Sequence, residues 1–513
     1  MLSKRMSRRD LLRLSAVAGG ATILAACQPQ VVKEIVKETV VVEKEKVVEK
    51  PVEKVVRETV IVEGKEKVVE KVITVAAPAP TKAPAQKVTV RFTYGEGNEL
   101  SEDERKQFMS ENPNITLTNQ DMDDVKFFAM LAAGNPPDIL RLQGHGFPQL
   151  LARGIPLNLS PYVEVSKLIK LDDLAPSCDY YKAMSPMDTG KGDLYGMPKD
   201  WSPDLSYFVN TVLFERAKVP IPDDTKPVHY TDMAAMAQKL TKKEGDRTLV
   251  WGWCWANGWE DRYWLIWLAQ NEKSLFSPDF QKFQLADSPD AKEMVKFLLD
   301  IAKAGYSQSP LDPSPRGWPG PDFVAGQIAM QQYGFWYSGM VSGALGSEGM
   351  AGEFKEKGMM MPAPIWGDKG KRFSPTITAT GAICVRQTKY PDETYKAWEW
   401  YHAGQPAINR SKAGWGVPAL KSLYKNIPGE EVSPMRGQIK KVLMDELKYA
   451  DFVIKFSPFL RGMGGGGETS AVASVFLGYW ERYLRGQMSF DEIIGNIQKD
   501  VDVMIKEGIS KIV

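Results

Sequence analysis

The chain has 513 residues, 43% of them hydrophobic and 25% charged, a balance that suits a globular protein of two or three domains. Lys plus Arg number 65 against 64 Asp plus Glu, so no surplus of positive charge points to a nucleic-acid partner. The four cysteines (Cys27, Cys178, Cys254, Cys384) and three histidines (His145, His229, His402) form no CxxC pair and no metal-ligand spacing. Neither a disulfide scaffold, a metal site nor a cofactor is indicated.

In chain order, residues 1–27 read as an address and an anchor. Arg8 and Arg9 in "SRRDLL" precede a largely apolar run from Leu11 to Ala26, interrupted by Gly19 and Gly20. This resembles a twin-arginine export signal, too short to span a membrane. The run closes on "LAAC", Leu24 to Cys27, which resembles a bacterial lipobox. That resemblance implies cleavage before Cys27, lipid on its sulfur, and an exported chain held at the outer face of the cytoplasmic membrane by the anchor alone.

Residues 28–87 read as a tether. Between 31 and 75 almost every residue is Val, Ile, Lys, Arg or Glu, and Val recurs at 41, 48, 55, 62 and 69. The seven-residue period admits a coiled coil. Pro51, Gly64 and the absence of Leu or aromatic residues favour an extended charged spacer instead. "AAPAPTKAPAQ", 76–86, is a semi-rigid Pro/Ala linker.

From 88 onward the pattern is that of a folded body. Val88, Val90, Phe92 and Tyr94 alternate as a first strand, with a helix from about Ser101; "NITLTN" and "DILRLQ" read as second and third strands. Strands alternating with helices predict an α/β body with largely parallel sheets, whose ligands bind beyond the carboxyl ends of strands.

Several stretches then appear in a telling order. They are "KFFAMLAAGNPPDILRLQ"; "GDLYGMPKDWSPDLSYFVNTVLFERAKV" at 192–219; "FVAGQIAMQQYGFW" at 323–336; "GMMMPAPIWGDKGKRFSPTITATGAICV"; "YPDETYKAWEWYHA"; and "GWGVPALKSL". Together they resemble the bacterial extracellular solute-binding proteins whose better-known members bind sugars for ABC importers, over nearly all of 88–513. The resemblance implies an α/β, two-lobe periplasmic-binding-protein-like fold with the ligand cleft between lobes and several hinge crossings. Lobe one is expected at 88–201 plus 321–377, and lobe two at 202–320 plus 378–513. Crossings are expected near Pro198–Leu205, Pro319–Phe323 and Thr376–Gly381. The implied function is capture of a carbohydrate, an oligosaccharide, and its delivery to the importer's permease subunits in the membrane.

A sugar offers a rim of hydroxyl groups and a weakly polar C–H face, so aromatic platforms and amide or acidic groups are the residues to seek. By position in the family pattern these are Trp336, ending "IAMQQYGFW"; Glu96 and Tyr94 after the first strand; Gln143 and His145 after the third; Asp200 and Trp201 at a crossing; and Trp415 in "AGWGVP". Asp138 reads as a structural turn residue. In "WGWCWANGW", 251–259, Trp251 and Trp253 are expected in the core, while Trp255, Asn257 and Trp259 stand at the strand's ligand edge. Trp264 and Trp267 fall in a helix and read mainly as core. "RGMGGGGETS", 461–470, lacks the strand context and the P-loop lysine of a nucleotide site, and reads as a glycine loop on the cleft, with Arg461 as a ligand or carboxylate partner.

No HExxH and no Gly-x-Ser-x-Gly occurs, so no local signature supports an enzyme. The alternatives are binding of a peptide, a glycerol phosphodiester or an organic anion, an anchored glycan-active enzyme, and an adhesion protein on a coiled-coil stalk. A phosphate ligand would call for several Arg or Lys in the candidate loops, which are aromatic, acidic and amide-bearing instead.

Overall fold

The computed structural model describes residues 52–62, 65–75, 86–94, 99–451, 453–460 and 469–512. The tether and the body form separate units, 1–84 and 85–513. In the tether, β1 (Val52–Val62) and β2 (Lys65–Val75) pair antiparallel, with Arg57 opposite Glu70. Neither a coiled coil nor a lone extended spacer describes these residues. Their dense Val, Ile and Thr content favours strands, because β-branched side chains suit a pleated surface.

The body carries two five-stranded sheets. The first contains β3 (Val88–Phe92), β4 (Ile115–Asn119), β5 (Ile139–Leu142), β8 (Gly196–Pro198) and β14 (Gly381–Cys384), in the order β4-β3-β5-β14-β8. The second contains β9 (Tyr207–Asn210), β10 (Lys242–Glu244), β11 (Arg247–Trp255), β12 (Ile328–Gln332) and β13 (Gly358–Met361), in the order β10-β11-β12-β9-β13. A small hairpin, β6 (Lys182–Ser185) with β7 (Asp188–Leu194), stands apart. The expected alternation is present: Val88, Val90 and Phe92 are buried while Thr89 is exposed. The helix Glu102–Glu111 starts on a capping box in which Ser101 and Glu104 satisfy each other's backbone N–H.

Two expectations change. The sheets are mixed rather than largely parallel: β3 runs parallel to β4 and β5, and β11 to β12, but β8, β9, β13 and β14 join antiparallel. The strands that run against the rest are β9, β10 and β14; β8 is antiparallel to β14 and so parallel to β5, and β13 is antiparallel to β9 and so parallel to β12. The allotment of segments also changes. β12 and β13 belong with β9 and β11, whereas β14 belongs with β3 and β5. Residues 321–361 therefore build the second lobe, and 381–413 return to the first.

The crossings follow from that pairing. One runs from β8 to β9 through 199–206, and another from β13 to β14 through 362–380. A third runs through 414–433, between the helix Gln405–Ala413 and the helix Pro434–Glu446, which packs on β13. Pro319–Phe323 is no crossing: it opens a helix between two strands of one sheet. Cys178, Cys254 and Cys384 are buried free thiols, and no helix among the described residues is long and apolar enough to cross a membrane.

Close packing under β11 gives a clean test. A Cβ on Gly252 would sit 2.0 Å from the Ala237 carbonyl oxygen, on the backbone of the helix Tyr230–Leu240. Gly252→Ala should cost about 3 kcal/mol or prevent folding. Gly495→Ala, exposed on a helix with nothing within 4 Å, should stabilise by about 0.5–1 kcal/mol. Urea unfolding of both variants measures the contrast, and equal effects would contradict the packing.

Candidate functional site

A cavity of about 620 Å³ is lined by both lobes and by the crossings. The second lobe supplies tryptophans. Trp259 is the residue before the helix Glu260–Gln270, reached from β11 through Gly258 (φ 91°). Trp336 lies in a single 3₁₀ turn after β12. Trp318 precedes the helix Pro319–Val324 and is 38% exposed. Trp415 joins them from the third crossing. The Trp318 and Trp336 rings are nearly parallel, with centroids 6.3 Å apart and planes at 20°. Trp259 and Trp415 each lie 6.5 Å from Trp336 at steeper angles. Trp336 is thus the centre of a four-ring array.

The first lobe and first crossing supply charge and amide. Arg141, inside β5, grips Glu99 through two donors: Nε to Oε2 at 2.9 Å and Nη2 to Oε1 at 2.9 Å. Lys199 Nζ donates to Asp200 Oδ2 at 2.7 Å. Both pairs lie mostly buried, and each neutralises itself. Gln143 is fully buried and lines the cavity, yet neither its amide oxygen nor its nitrogen has a hydrogen-bond partner. The Trp336 indole N–H is also unpartnered. Buried polar atoms without partners are costly, so these are groups a ligand can satisfy.

Of the residues singled out from sequence, Trp336, Trp259, Gln143, Asp200, Trp201 and Trp415 line this cavity. Four others do not. Trp255 is 1% exposed, its indole N–H donating to Glu260 and its ring stacked on Trp480. A buried acceptor and a facing ring draw it into the core, although it ends the strand. Asn257 is exposed and outside the cavity. Tyr94 is buried against Tyr401, its hydroxyl 3.2 Å from His402 Nε2. His145 is buried beside Phe456 and lines a separate void of about 30 Å³ with Asp261 and Ser457. Burial, and then the Arg262 charge, holds its imidazole well below the usual range, so it stays neutral. Glu96, Arg461 and Cys27 lie outside the described residues.

Trp264 and Trp267 are core, Trp267 stacked on Trp366 at 4.6 Å. Asp138 is structural, accepting from the Arg91 backbone and Thr388. The lining residues not anticipated include Glu99, Arg141, Lys199, Trp318, Met340 and Leu345. A visible signal existed for two of them: an arginine inside the apolar "DILRLQ", and a tryptophan between glycine and proline in "PRGWPG".

Residues 81–403 match the sequence model of the family described as Bacterial extracellular solute-binding protein. Three solved structures are similar in fold. An ABC substrate-binding protein of Listeria monocytogenes, Lmo0181, in complex with cycloalternan, is 20% identical with a TM-score of 0.64, covering 82% of this chain and 100% of that one. The sugar-binding protein MalE of Xanthomonas citri is 18% identical with a TM-score of 0.58, covering 82% and 98%. An ABC transporter solute-binding protein of Agrobacterium vitis with bound D-mannitol is 18% identical with a TM-score of 0.61, covering 83% and 99%. No curated protein matches the sequence.

Glu260 ties the Trp259 turn together. Its buried carboxylate accepts from the Trp255 indole and from the Gly258 N–H at 2.9 Å, and burial pushes its pKa from 4.5 up to about 7. A raised carboxyl pKa gives stability that is complete below pH 4.5 and lost as pH rises through about 7. Relative to Glu260→Gln, which does not titrate, the wild-type chain should lose unfolding free energy across that window. A flat difference in urea midpoints against pH would contradict this.

Proposed function

This chain belongs to the bacterial extracellular solute-binding protein family, and from that premise we propose that it captures an oligosaccharide between its lobes and passes it to the membrane permease of an ABC importer. The observation that carries the carbohydrate is the array of Trp259, Trp318, Trp336 and Trp415 in one cleft with an unpartnered Gln143 amide. Flat rings cover the C–H faces of sugar rings with little rotamer entropy lost. An amide with free donor and acceptor suits adjacent hydroxyl groups. The charged side chains are already paired, which favours a neutral ligand over a phosphate or carboxylate. The cycloalternan and D-mannitol bound by two proteins of similar fold are neutral polyhydroxyl compounds, in keeping with this reading.

In this reading Trp336, Trp259, Trp318, Trp415, Trp201, Asp200 and Gln143 contact the ligand. The strand pairing supports one lobe from 88–198 and 381–413, and another from 207–361 and 434–512. The crossings 199–206, 362–380 and 414–433 then serve as the hinge. The ligand favours closure only by the contacts it gains when both lobes reach it. No step breaks a bond in the ligand.

Calorimetry of the full chain against a panel of neutral glycans should find one bound without turnover. Trp336→Ala and Trp259→Ala should each weaken it by about tenfold or more with the fold intact, tenfold being about 1.4 kcal/mol. Unchanged affinity in both variants, or reducing ends released into solution, would overturn the assignment.

We also propose that Cys27 carries the lipid that keeps the chain at the outer face of the cytoplasmic membrane, with the signal and lipobox order as support. Cys27→Ser should move the protein from the membrane fraction to the soluble one; retention at the membrane would refute the anchor.

A further inference from the structure

Beside the tryptophan-lined cleft lies a second chamber of about 460 Å³, and the two share Glu99 and Leu345 as walls. Its chemistry is different. No aromatic side chain among the described residues lines it. One wall is the first turns of the helix Glu102–Glu111, and the other is Asn409 and Arg410 on the helix Gln405–Ala413.

Arg410 is the unusual member. It is 4% exposed, with its guanidinium 4.3 Å over the Tyr401 ring. Its Nη2 donates to the Tyr401 carbonyl at 2.9 Å, while Nε and Nη1 have no partner. Facing it, Glu104 spends one oxygen on the Ser101 cap and presents the other to Asn409 Nδ2 at 3.4 Å. Charged donors and acceptors thus sit within one small polar space. Buried donors without partners are satisfied best by a ligand that carries oxygen atoms on several sides.

Leu345 divides the two spaces. It comes from the second lobe and is 40% exposed. It holds a left-handed backbone (φ 50°, ψ 38°) between Gly343 and Gly346, which are left-handed as well. A non-glycine residue in that region, with an apolar side chain in the open, is a feature met at ligand clamps. An apolar rib between an aromatic and a polar chamber fits a chain of rings, whose C–H faces would cross the rib while hydroxyl edges reach the polar walls.

We propose that this chamber is a second binding site, for the hydroxyl-rich terminal unit of a linear oligosaccharide whose preceding rings stack on the tryptophans. This rests on the carbohydrate reading above and adds chain-length selectivity to it. The terminal unit is held by its edges alone, so the chamber rewards a longer ligand without demanding a stacked face.

The test is calorimetric titration of the full chain with malto-, manno- and xylo-oligosaccharides from disaccharide to hexasaccharide. Along the series that binds, affinity should rise by about tenfold or more as the chain grows into the chamber. Gln107→Ala with Asn409→Ala, both lining the chamber, exposed and outside the cleft, should abolish that rise and leave disaccharide affinity unchanged. Arg410→Lys, which keeps the charge over Tyr401, should reduce the rise as well. A wild-type chain indifferent to ligand length, or a rise that survives in the double variant, overturns the second site while leaving the cleft assignment standing. Failure of every saccharide to bind overturns the carbohydrate reading, and the chamber's role with it.

Discussion

The structure depends on one buried carboxylate. Asp204 lies in the first crossing, without solvent contact, and its Oδ2 accepts from Thr376 Oγ1 at 2.9 Å, Ile377 N at 2.7 Å and Thr378 N at 3.2 Å, all in the second crossing. Burial outweighs the donors, which favour the charged form, and its pKa is pushed up to about 6. A charge so placed is tolerable only while those donors stay, so the two crossings are held in register. Glu446 repeats the device. At the end of the helix that follows the third crossing, it accepts from Ser374 and Arg372 of the second crossing and from Ser206 of the first. Trp201 and Val417 add a backbone bridge between the first and third.

This knot sets the cleft. A Cβ on Gly334 would lie 2.6 Å from the Asp204 Cα, so only glycine lets the end of β12 lie against the first crossing. Gly334, at φ 72°, then turns the chain so that Trp336 follows two residues later in the 3₁₀ turn. A Cβ on Gly416 would lie 2.8 Å from the Asp200 Cβ, which seats the Trp415 segment as closely on the same crossing. The central ring of the array and one of its neighbours are therefore positioned from the hinge itself. In the proposed mechanism, bending at the crossings moves the stacking surface directly, with no intermediate lever.

The fold was legible because its signals are local. The alternation in "KVTVRFTY", the capping serine at 101 and the ordered motifs from 192 to 403 each report on a few adjacent residues. What was not legible is which sheet a returning strand joins. β12 and β14 are short, buried on both faces and look alike as sequence, so their exchange between lobes emerges only from pairing with strands far away in the chain. The same limit governs the site. Trp255 ends β11, Trp259 follows it four residues later, and the two share residue type. Trp255 turns inward because Glu260 offers an acceptor and Trp480, more than two hundred residues on, offers a face. Trp259 remains at the cleft, with the Arg262 guanidinium 5.5 Å from its ring. Periodicity cannot distinguish the two; a tertiary partner can.

The ionic pairs in the cleft bear on selectivity more than on strength. Two cations and two anions line the cavity, and left unpaired they would attract any charged solute. Paired as Arg141 with Glu99 and Lys199 with Asp200, they lose that field but keep their remaining lone pairs and N–H groups. A charged ligand would have to break one pair and leave a buried charge without its counterion, a cost of several kcal/mol. A neutral polyhydroxyl ligand can bond to both members of a pair without separating them. In the proposed function the tryptophans supply affinity to flat apolar faces, and the closed ion pairs act against solutes that are not neutral. Selection by the combination requires neither a large net charge nor a deep pocket, which is consistent with a chain whose acidic and basic residues differ by one.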